Sequence, residues 1–133
     1  MNKALRVLIV EDSEDDARLL LRELRRGGYD PAFERVETAD AMRAALDPAA
    51  GSGRRWDVIL SDYSMPQFSG PAALALLQAE GMDVPFIIIS GTIGEDTAVA
   101  ALKAGAHDFL VKGNWARLVP AVEREMQIGR AHV

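Results

Sequence analysis

Charged and hydroxyl side chains stand at the ends of four short apolar runs. Glu11 and Asp12 follow the first run, Asp62 and Ser90 end two others, and Lys112 follows the last. Carboxylates that converge repel one another, and a hard divalent cation such as Mg²⁺ relieves that repulsion through oxygen ligands. A carboxylate beside such a cation can attack phosphorus to give an aspartyl phosphate, whose oxygens a lysine and a hydroxyl can hold. Brought together, these groups could therefore accept a phosphoryl group.

The segments between these side chains alternate between strand and helix patterns. Strands are predicted at residues 5–10, 32–36, 58–62, 85–90 and 109–111. Helices are predicted at 17–24, 39–46, 71–80 and 95–104, and residues 47–55 read as an exposed loop. Strict alternation implies a parallel sheet with helices on both faces. Ligands bind where the carboxyl ends of parallel strands meet, so the polar groups are expected at one rim. Asp62 ends the central strand and is the candidate nucleophile.

The last helix has two alternative starts. Either Asn114 caps it, or a short turn at 115–118 precedes a helix that begins at about residue 119. The first alternative places Pro120 beyond the first turn, where its missing N–H costs a hydrogen bond. Both alternatives end the helix near Ile128.

The composition excludes several kinds of site. The 133 residues fit one domain, and 49% hydrophobic residues suffice for a core. The chain has no cysteine and two histidines, which excludes disulfides, thiolate nucleophiles and metal sites built on those residues. A net charge of -5 argues against direct binding of nucleic acid. No apolar run approaches the roughly 18 residues of a membrane span, and no signal peptide is evident, so we expect a cytoplasmic protein without membrane contact.

Four motifs give the chain a family resemblance. They are VLIVED at 7–12, ILSDYSMP at 59–66, FIIIS at 86–90 and DFLVK at 108–112. Together, in this order and at matching strand ends, they resemble the receiver domain of two-component response regulators, the CheY-like family. The resemblance covers roughly residues 5–126. It implies an α/β fold of flavodoxin/CheY-like (βα)5 type: a three-layer αβα sandwich around a five-stranded parallel sheet of order 2-1-3-4-5. Residues 1–133 would form a single receiver domain, with its core at about 5–128.

The resemblance also assigns the acceptor and the metal ligands. Asp62 matches the phosphoacceptor aspartate of the family. Glu11 and Asp12 match the acidic pair that binds Mg²⁺ or Mn²⁺ together with the acceptor. The main-chain carbonyl of Ser64 would complete the protein's share of the metal ligands.

Three further positions match residues that respond to the phosphoryl group. Ser90 matches the hydroxyl that moves to bond this group, and Lys112 matches the lysine that pairs with one of its oxygens. Asp62, Ser90 and Lys112 would thus be the catalytic residues, and Phe109 stands at the aromatic switch position.

Three residues depart from the usual family pattern. Glu11 stands where Asp is commoner, and Phe109 replaces the frequent Tyr. Gly113 follows the lysine where the family usually has a proline, typically in the cis form, so the loop must reach its geometry differently. These departures concern the switch more than the phosphorylation, because every reacting group is present.

The function implied is that of a phosphorylation-driven signalling module and not of an enzyme with an external substrate. The phosphoryl group would come from a phosphohistidine on a sensor histidine kinase or a histidine phosphotransfer protein. The surface of the fourth helix, fifth strand and fifth helix would then signal to a downstream protein or an attached domain, and the chain could be the receiver of a hybrid kinase. A homodimer formed on phosphorylation is left open.

Two other functions remain as alternatives. The first is a pseudo-receiver that binds partners without phosphorylation. The second is an aspartyl-phosphate phosphatase of the haloacid-dehalogenase type, which residues 11–14 disfavour because they lack its DxDxT/V signature.

The charges of the first helix have plainer interpretations. Glu11 and Asp12 could be only helix-capping and first-turn acids, and Asp15 and Asp16 are expected to be just that. A basic stripe on this helix is expected to be either a solvated face with a Glu14–Arg18 pair or a docking edge for an acidic partner. The stripe comprises Arg18, Arg22, Arg25 and Arg26.

Overall fold

Five parallel strands form a single sheet of order β2-β1-β3-β4-β5 in the computed structural model. The structure describes residues 2–47, 56–91 and 94–131, with side chains of the last helix described as far as Gln127. The strands are β1 (Lys3–Val10), β2 (Tyr29–Val36), β3 (Val58–Asp62), β4 (Phe86–Ser90) and β5 (Asp108–Val111). The predicted strand order is thus confirmed.

Helices cover both faces of this sheet. They are α1 (Glu14–Arg26), α2 (Ala39–Leu46), α3 (Gly70–Ala79), α4 (Glu95–Lys103) and α5 (Leu118–Ala131). Alternate side chains of each strand point to opposite faces, so Val7 and Ile9 pack with α1 and α5 while Leu8 and Val10 pack with α2, α3 and α4. Two aliphatic cores result, one on each face, as the three-layer sandwich requires.

The apolar stripe of α1 shows how the sequence produces this packing. Its residues Ala17, Leu20, Leu21 and Leu24 follow helical spacing and are all buried. Fully burying one such leucine contributes about 2 kcal/mol. Gly27 follows the last helical residue and caps the helix.

Several boundaries differ from the sequence prediction, and the start of α5 decides between its two alternatives; α1, for example, begins at Glu14, three residues before its predicted start. Strand β2 begins at Tyr29, three residues before the predicted start, and contains Pro31. It is an edge strand, where proline's missing N–H need not break a bond to a second neighbour. A 3-10 turn at Trp115–Arg117 precedes α5, so the second alternative is confirmed and Pro120 falls in the first turn.

The predicted loop at 47–55 lies outside the described residues from position 48 onward. In the part of the chain that the structure describes, no helix has the length and apolar character needed to cross a membrane.

Candidate functional site

Two neighbouring central strands bring three carboxylates to the same rim. Glu11 directly follows β1, and Asp62 ends β3, whose Ser61 pairs with Val10 of β1. One carboxylate oxygen from each of Glu11, Asp12 and Asp62 lies within 4.8 Å of the others. Glu11 and Asp62 are buried, whereas Asp12 is exposed. The three acids that were predicted to meet at one rim of the sheet therefore lie close together in the structure.

Glu11 occupies the most enclosed position of the three. Burial raises the pKa of its carboxyl to about 7, with the negative charge of Asp62 acting in the same direction. A hydrogen bond from the Ser13 N–H to Oε1 (3.1 Å) and the charge of Lys112 oppose this rise without cancelling it. Burial is therefore the main reason why the pKa of Glu11 stays high even with the Lys112 ammonium close by.

Lys112 faces these acids from the end of β5. Its backbone N–H donates to the Ser90 carbonyl (2.7 Å), which fixes the start of the side chain. Its Nζ lies 2.6 Å from Asp16 Oδ2, 3.2 Å from Glu11 Oε2 and 3.4 Å from Asp62 Oδ1. Burial lowers the pKa of this ammonium, but the hydrogen bond to Asp16 and the charges of Glu11 and Asp62 outweigh burial and raise the pKa above its usual range. Lys112 is therefore held in its charged form.

The other expected site residues lie around this cluster. Ser90 ends β4 and is buried; it follows Ile89, the register partner of Asp62. Ser64 is exposed in the segment just after β3. Phe109 is buried in β5, and its ring meets the Tyr63 ring edge-on at a centroid distance of 6.1 Å. An aromatic contact thus connects the residue after Asp62 with the expected switch position.

Gly113 replaces the expected proline through a positive φ. Its φ is +92°, and the Asn114 N–H donates to the Val111 carbonyl (3.1 Å), closing a tight turn after β5. Glycine adopts this conformation without the steric cost that a Cβ would impose. Within the described residues no peptide bond is cis. The chain therefore leaves β5 through a glycine turn.

Asp16 is a site residue that the sequence prediction missed. It was expected to be only a first-turn acid of α1, yet it makes the shortest ion pair of Lys112. Acids are common in the first turn of a helix because the helix dipole stabilises negative charge there. This explanation accounts for Asp16 without any contact to Lys112, so the contact was not predicted. The alternative that Glu11 and Asp12 only cap α1 does not hold, because Ser13 is the N-cap and accepts from the Asp16 N–H (3.2 Å).

Two further residues support the rim without a signal in the sequence. Arg35, near the end of β2, donates to the Glu11 carbonyl (3.1 Å) and pairs with Glu14 and Glu37 at 3.5 Å each. Gly70 opens α3 so close to β3 that a Cβ there would lie 2.8 Å from the Asp62 carbonyl oxygen. Both contacts depend on the packing of segments distant in sequence.

The carboxylate cluster has the donor set of a hard divalent cation. Oxygens that share one octahedral Mg²⁺ are about 3 to 4 Å apart, and the three acids each bring an oxygen within 4.8 Å of the others. A cation bound there would offset the burial and the Asp62 charge that raise the pKa of Glu11. The residues present therefore fit such an ion.

The basic stripe of α1 lies partly in local ion pairs. Arg18 pairs with Glu14 at 3.7 Å and with Asp15 at 3.5 Å, and Arg26 pairs with Glu23 at 3.3 Å. The side chains of both arginines are more than half exposed, so each pair contributes at most about 1 kcal/mol. The Glu14–Arg18 pair is confirmed, while a docking role for the stripe stays a prediction.

Comparisons with known proteins identify the family. The model of the response regulator receiver domain matches residues 7–123. The transcriptional regulatory protein PrrA of Mycobacterium tuberculosis is 38% identical over 107 residues, 80% of this chain and 43% of that protein. The chemotaxis protein CheY1 of Helicobacter pylori is 28% identical over 110 residues, 81% of this chain and 85% of that protein. The signal receiver domain of a putative Luxo repressor protein from Vibrio parahaemolyticus matches with a TM-score of 0.78 and 28% identity, covering 97% of this chain and 95% of that one.

The share of each relative that the chain covers determines which part of that relative is compared. The chain spans less than half the length of PrrA, so only the receiver part is compared. That part includes both strand ends that carry the carboxylates and the lysine that faces them. The chain therefore belongs to the response regulator receiver domain family, the CheY-like signalling modules of two-component systems.

Proposed function

We propose that this domain is a phosphoacceptor that takes a phosphoryl group onto Asp62 in a reaction that depends on Mg²⁺ or Mn²⁺. One observation carries the proposal: the buried Asp62 carboxylate belongs to a carboxylate cluster suited to a cation and also faces the Lys112 ammonium at 3.4 Å. A carboxylate in this position can act as a nucleophile, and positive charge on both sides can stabilise the oxygens that it receives.

The transfer requires little covalent chemistry from the protein. An Asp62 carboxylate oxygen attacks phosphorus, the P–N bond of the donor phosphohistidine breaks, and the imidazole nitrogen keeps the bonding electron pair and takes a proton. Glu11, Asp12, Asp62 and the Ser64 carbonyl would hold the metal, which supplies positive charge to the phosphoryl oxygens. Lys112 binds one of these oxygens, and the Ser90 hydroxyl, at the end of the neighbouring strand, binds another.

The phosphorylated state would be read at a surface connected to this rim. Movement of Ser90 toward the phosphoryl group would open space near Phe109, whose ring contacts Tyr63 directly after Asp62. A shift of Phe109 would alter the surface of α4, β5 and α5, where Val99 and Leu102 expose apolar area. This surface would signal to a downstream protein or an attached domain, and a homodimer formed on phosphorylation is one such output.

The donor would be a sensor histidine kinase or a histidine phosphotransfer protein. The domain would act on no external substrate and would catalyse only its own phosphorylation and dephosphorylation. Direct contact with nucleic acid or membrane is not part of this function, and a cytoplasmic location is expected.

An intact-mass experiment tests the proposal. The protein is incubated with Mg²⁺ and a small phosphodonor such as acetyl phosphate, and a single phosphoryl adduct is expected. Asp62→Asn and removal of the metal with EDTA should each abolish the adduct. Asp40→Asn, a change at an exposed acid in α2, should leave it intact. Absence of an adduct with acetyl phosphate, phosphoramidate and a phosphohistidine donor would support the pseudo-receiver alternative instead.

A further inference from the structure

The Lys112 ammonium lies within ion-pair distance of three carboxylates, and the one to which it donates a hydrogen bond, Asp16, lies outside the metal-capable cluster. Asp16 Oδ2 is 2.6 Å from Nζ, against 3.2 Å for Glu11 and 3.4 Å for Asp62. Asp16 contributes no oxygen to the Glu11–Asp12–Asp62 cluster. In the unphosphorylated domain the ammonium is therefore bound most closely by a residue that neither receives the phosphoryl group nor holds the metal.

Asp16 is held in place independently of Lys112. Its backbone N–H donates to the Ser13 hydroxyl (3.2 Å), and the next residue, Ala17, is buried in the packed face of α1. A substitution of the Asp16 side chain leaves this capping bond intact, because the bond uses only the backbone of Asp16. The lysine side chain is the flexible partner, so the ammonium would move while Asp16 stays.

A phosphoryl group on Asp62 would need the same ammonium. Its anionic oxygens and the Asp16 carboxylate are like charges that face one cation. The ammonium would either leave Asp16 or be shared between Asp16 and the phosphoryl group. In either arrangement the negative charge of Asp16 reduces the stabilisation that Lys112 gives to the phosphoryl group. In both arrangements the negative charge of Asp16 makes the phosphorylated state less stable.

We propose that Asp16 is a positioning residue that acts through Lys112: it competes with a phosphoryl oxygen for the ammonium and thereby weakens the phosphorylated state. This role rests on the proposed function of Asp62 as phosphoacceptor. In the unphosphorylated domain Asp16 holds Lys112 at the rim, and on phosphorylation it gives up part or all of that contact.

Beryllium trifluoride, a tetrahedral mimic of a phosphoryl group on a carboxylate, provides the test. Its dissociation constant is measured by calorimetry and ¹⁹F NMR with saturating Mg²⁺ for the wild type and for Asp16→Asn. Asp16→Asn keeps the side-chain shape and removes the charge, so we expect binding about 5-fold tighter, a size suited to a partly exposed ion pair. The lifetime of the Asp62 phosphoryl adduct should lengthen in the same variant.

Two matched variants separate this role from general charge effects. Asp15→Asn makes the same change of charge one residue away, at a side chain that is 89% exposed and paired with Arg18, and should leave the affinity within twofold of the wild type. Asp16→Glu restores the charge and should return the affinity toward the wild-type value. Thermal melting of each variant checks that the fold is kept.

The outcomes are distinguishable. Tighter binding for Asp16→Asn alone, reversed by Asp16→Glu, supports the role of Asp16. Equal or weaker binding for Asp16→Asn, with normal binding by the wild type, overturns that role and leaves Asp62 as the acceptor. Failure of the wild type and of every variant to bind the mimic or form an adduct overturns the proposed function itself.

Discussion

The Lys112 ammonium lies 3.2 Å from the Glu11 carboxylate, in a pair whose acid is 2% exposed and whose base is 23% exposed. Even so, the pKa of Glu11 is raised to about 7, because burial and the charge of Asp62 outweigh the help from the ammonium. The ammonium is thus too weak an influence to offset the burial of this carboxyl. This imbalance makes the metal-free site a source of instability at neutral pH.

The first prediction concerns stability against pH without divalent ions. The folded pKa of Glu11 lies above its ordinary value of 4.5, so the folded state binds more protons than the unfolded state between about pH 4.5 and 7. The contribution of Glu11 to stability is therefore fully present below pH 4.5 and lost as the pH rises through 7. In EDTA, the free energy of unfolding measured by urea titration should fall by about 3 kcal/mol across this window from Glu11 alone.

Glu11→Gln is the comparison for this measurement, because glutamine keeps the shape and cannot titrate. The difference in unfolding free energy between the wild type and this variant should shrink or reverse in favour of the variant as the pH rises from 5 to 8. Lys112 adds no slope in this range, since its raised pKa keeps it charged throughout. A constant difference across the range would contradict the prediction.

The second prediction concerns the competition between the ammonium and a metal ion. Lys112→Met removes a positive charge that lies within 3.4 Å of both Glu11 and Asp62, so Mg²⁺ should bind about 5-fold more tightly, a change of about 1 kcal/mol. Calorimetry at pH 8.5 keeps Glu11 ionised during the titration. Lys103→Met, at an exposed lysine at the end of α4, should leave the affinity unchanged. Weaker Mg²⁺ binding by Lys112→Met would show that the lysine helps to build the metal site.

The fold could be predicted where the hydrophobic pattern of a segment matches the surfaces that the segment buries. The apolar stripe of α1 and the continuous apolar run of β1 each match the surfaces that they bury, so the middle of α1 (17–24) and most of β1 (5–10) were predicted, while the structure extends them to Glu14–Arg26 and Lys3–Val10. The start of β2 was missed because Pro31 argues against a strand unless the strand lies at the edge. Edge position is a property of the whole sheet, and a local pattern does not contain it.

The site was predictable at the strand ends and not beyond them. Glu11, Asp62 and Lys112 each follow an apolar run, and parallel topology forces those ends together. The Asp16–Lys112 contact joins the first turn of α1 to the residue after β5, 96 positions away in sequence. Such a contact depends on helix placement to within a few ångströms, which residue types and spacing do not determine.

The third prediction concerns the turn after Lys112. Gly113 has a φ of +92°, so Gly113→Ala should lower the free energy of unfolding by roughly 1 kcal/mol. The strain lies beside the lysine, so the variant should also lower the rate of phosphorylation by acetyl phosphate. Gly113→Asn should be less harmful, since asparagine tolerates positive φ better than alanine. Equal stability of wild type and Gly113→Ala in urea titrations would mean that the turn adopts another conformation in solution.

The last prediction concerns the close approach of α3 to the phosphoacceptor strand. A Cβ at position 70 would lie 2.8 Å from the Asp62 carbonyl oxygen and 3.0 Å from Tyr63 Cα, so Gly70→Ala must displace the backbone beside Asp62. We expect a loss of about 2 kcal/mol in stability and a lower rate of Asp62 phosphorylation. Gly27→Ala is the control, because Gly27 caps the C-terminal end of α1 and its added Cβ would clash with the Val119 side chain of α5. Both variants should be destabilised in urea titrations, but only Gly70→Ala should slow adduct formation under conditions where each is fully folded; equal slowing by both would assign the effect to general destabilisation.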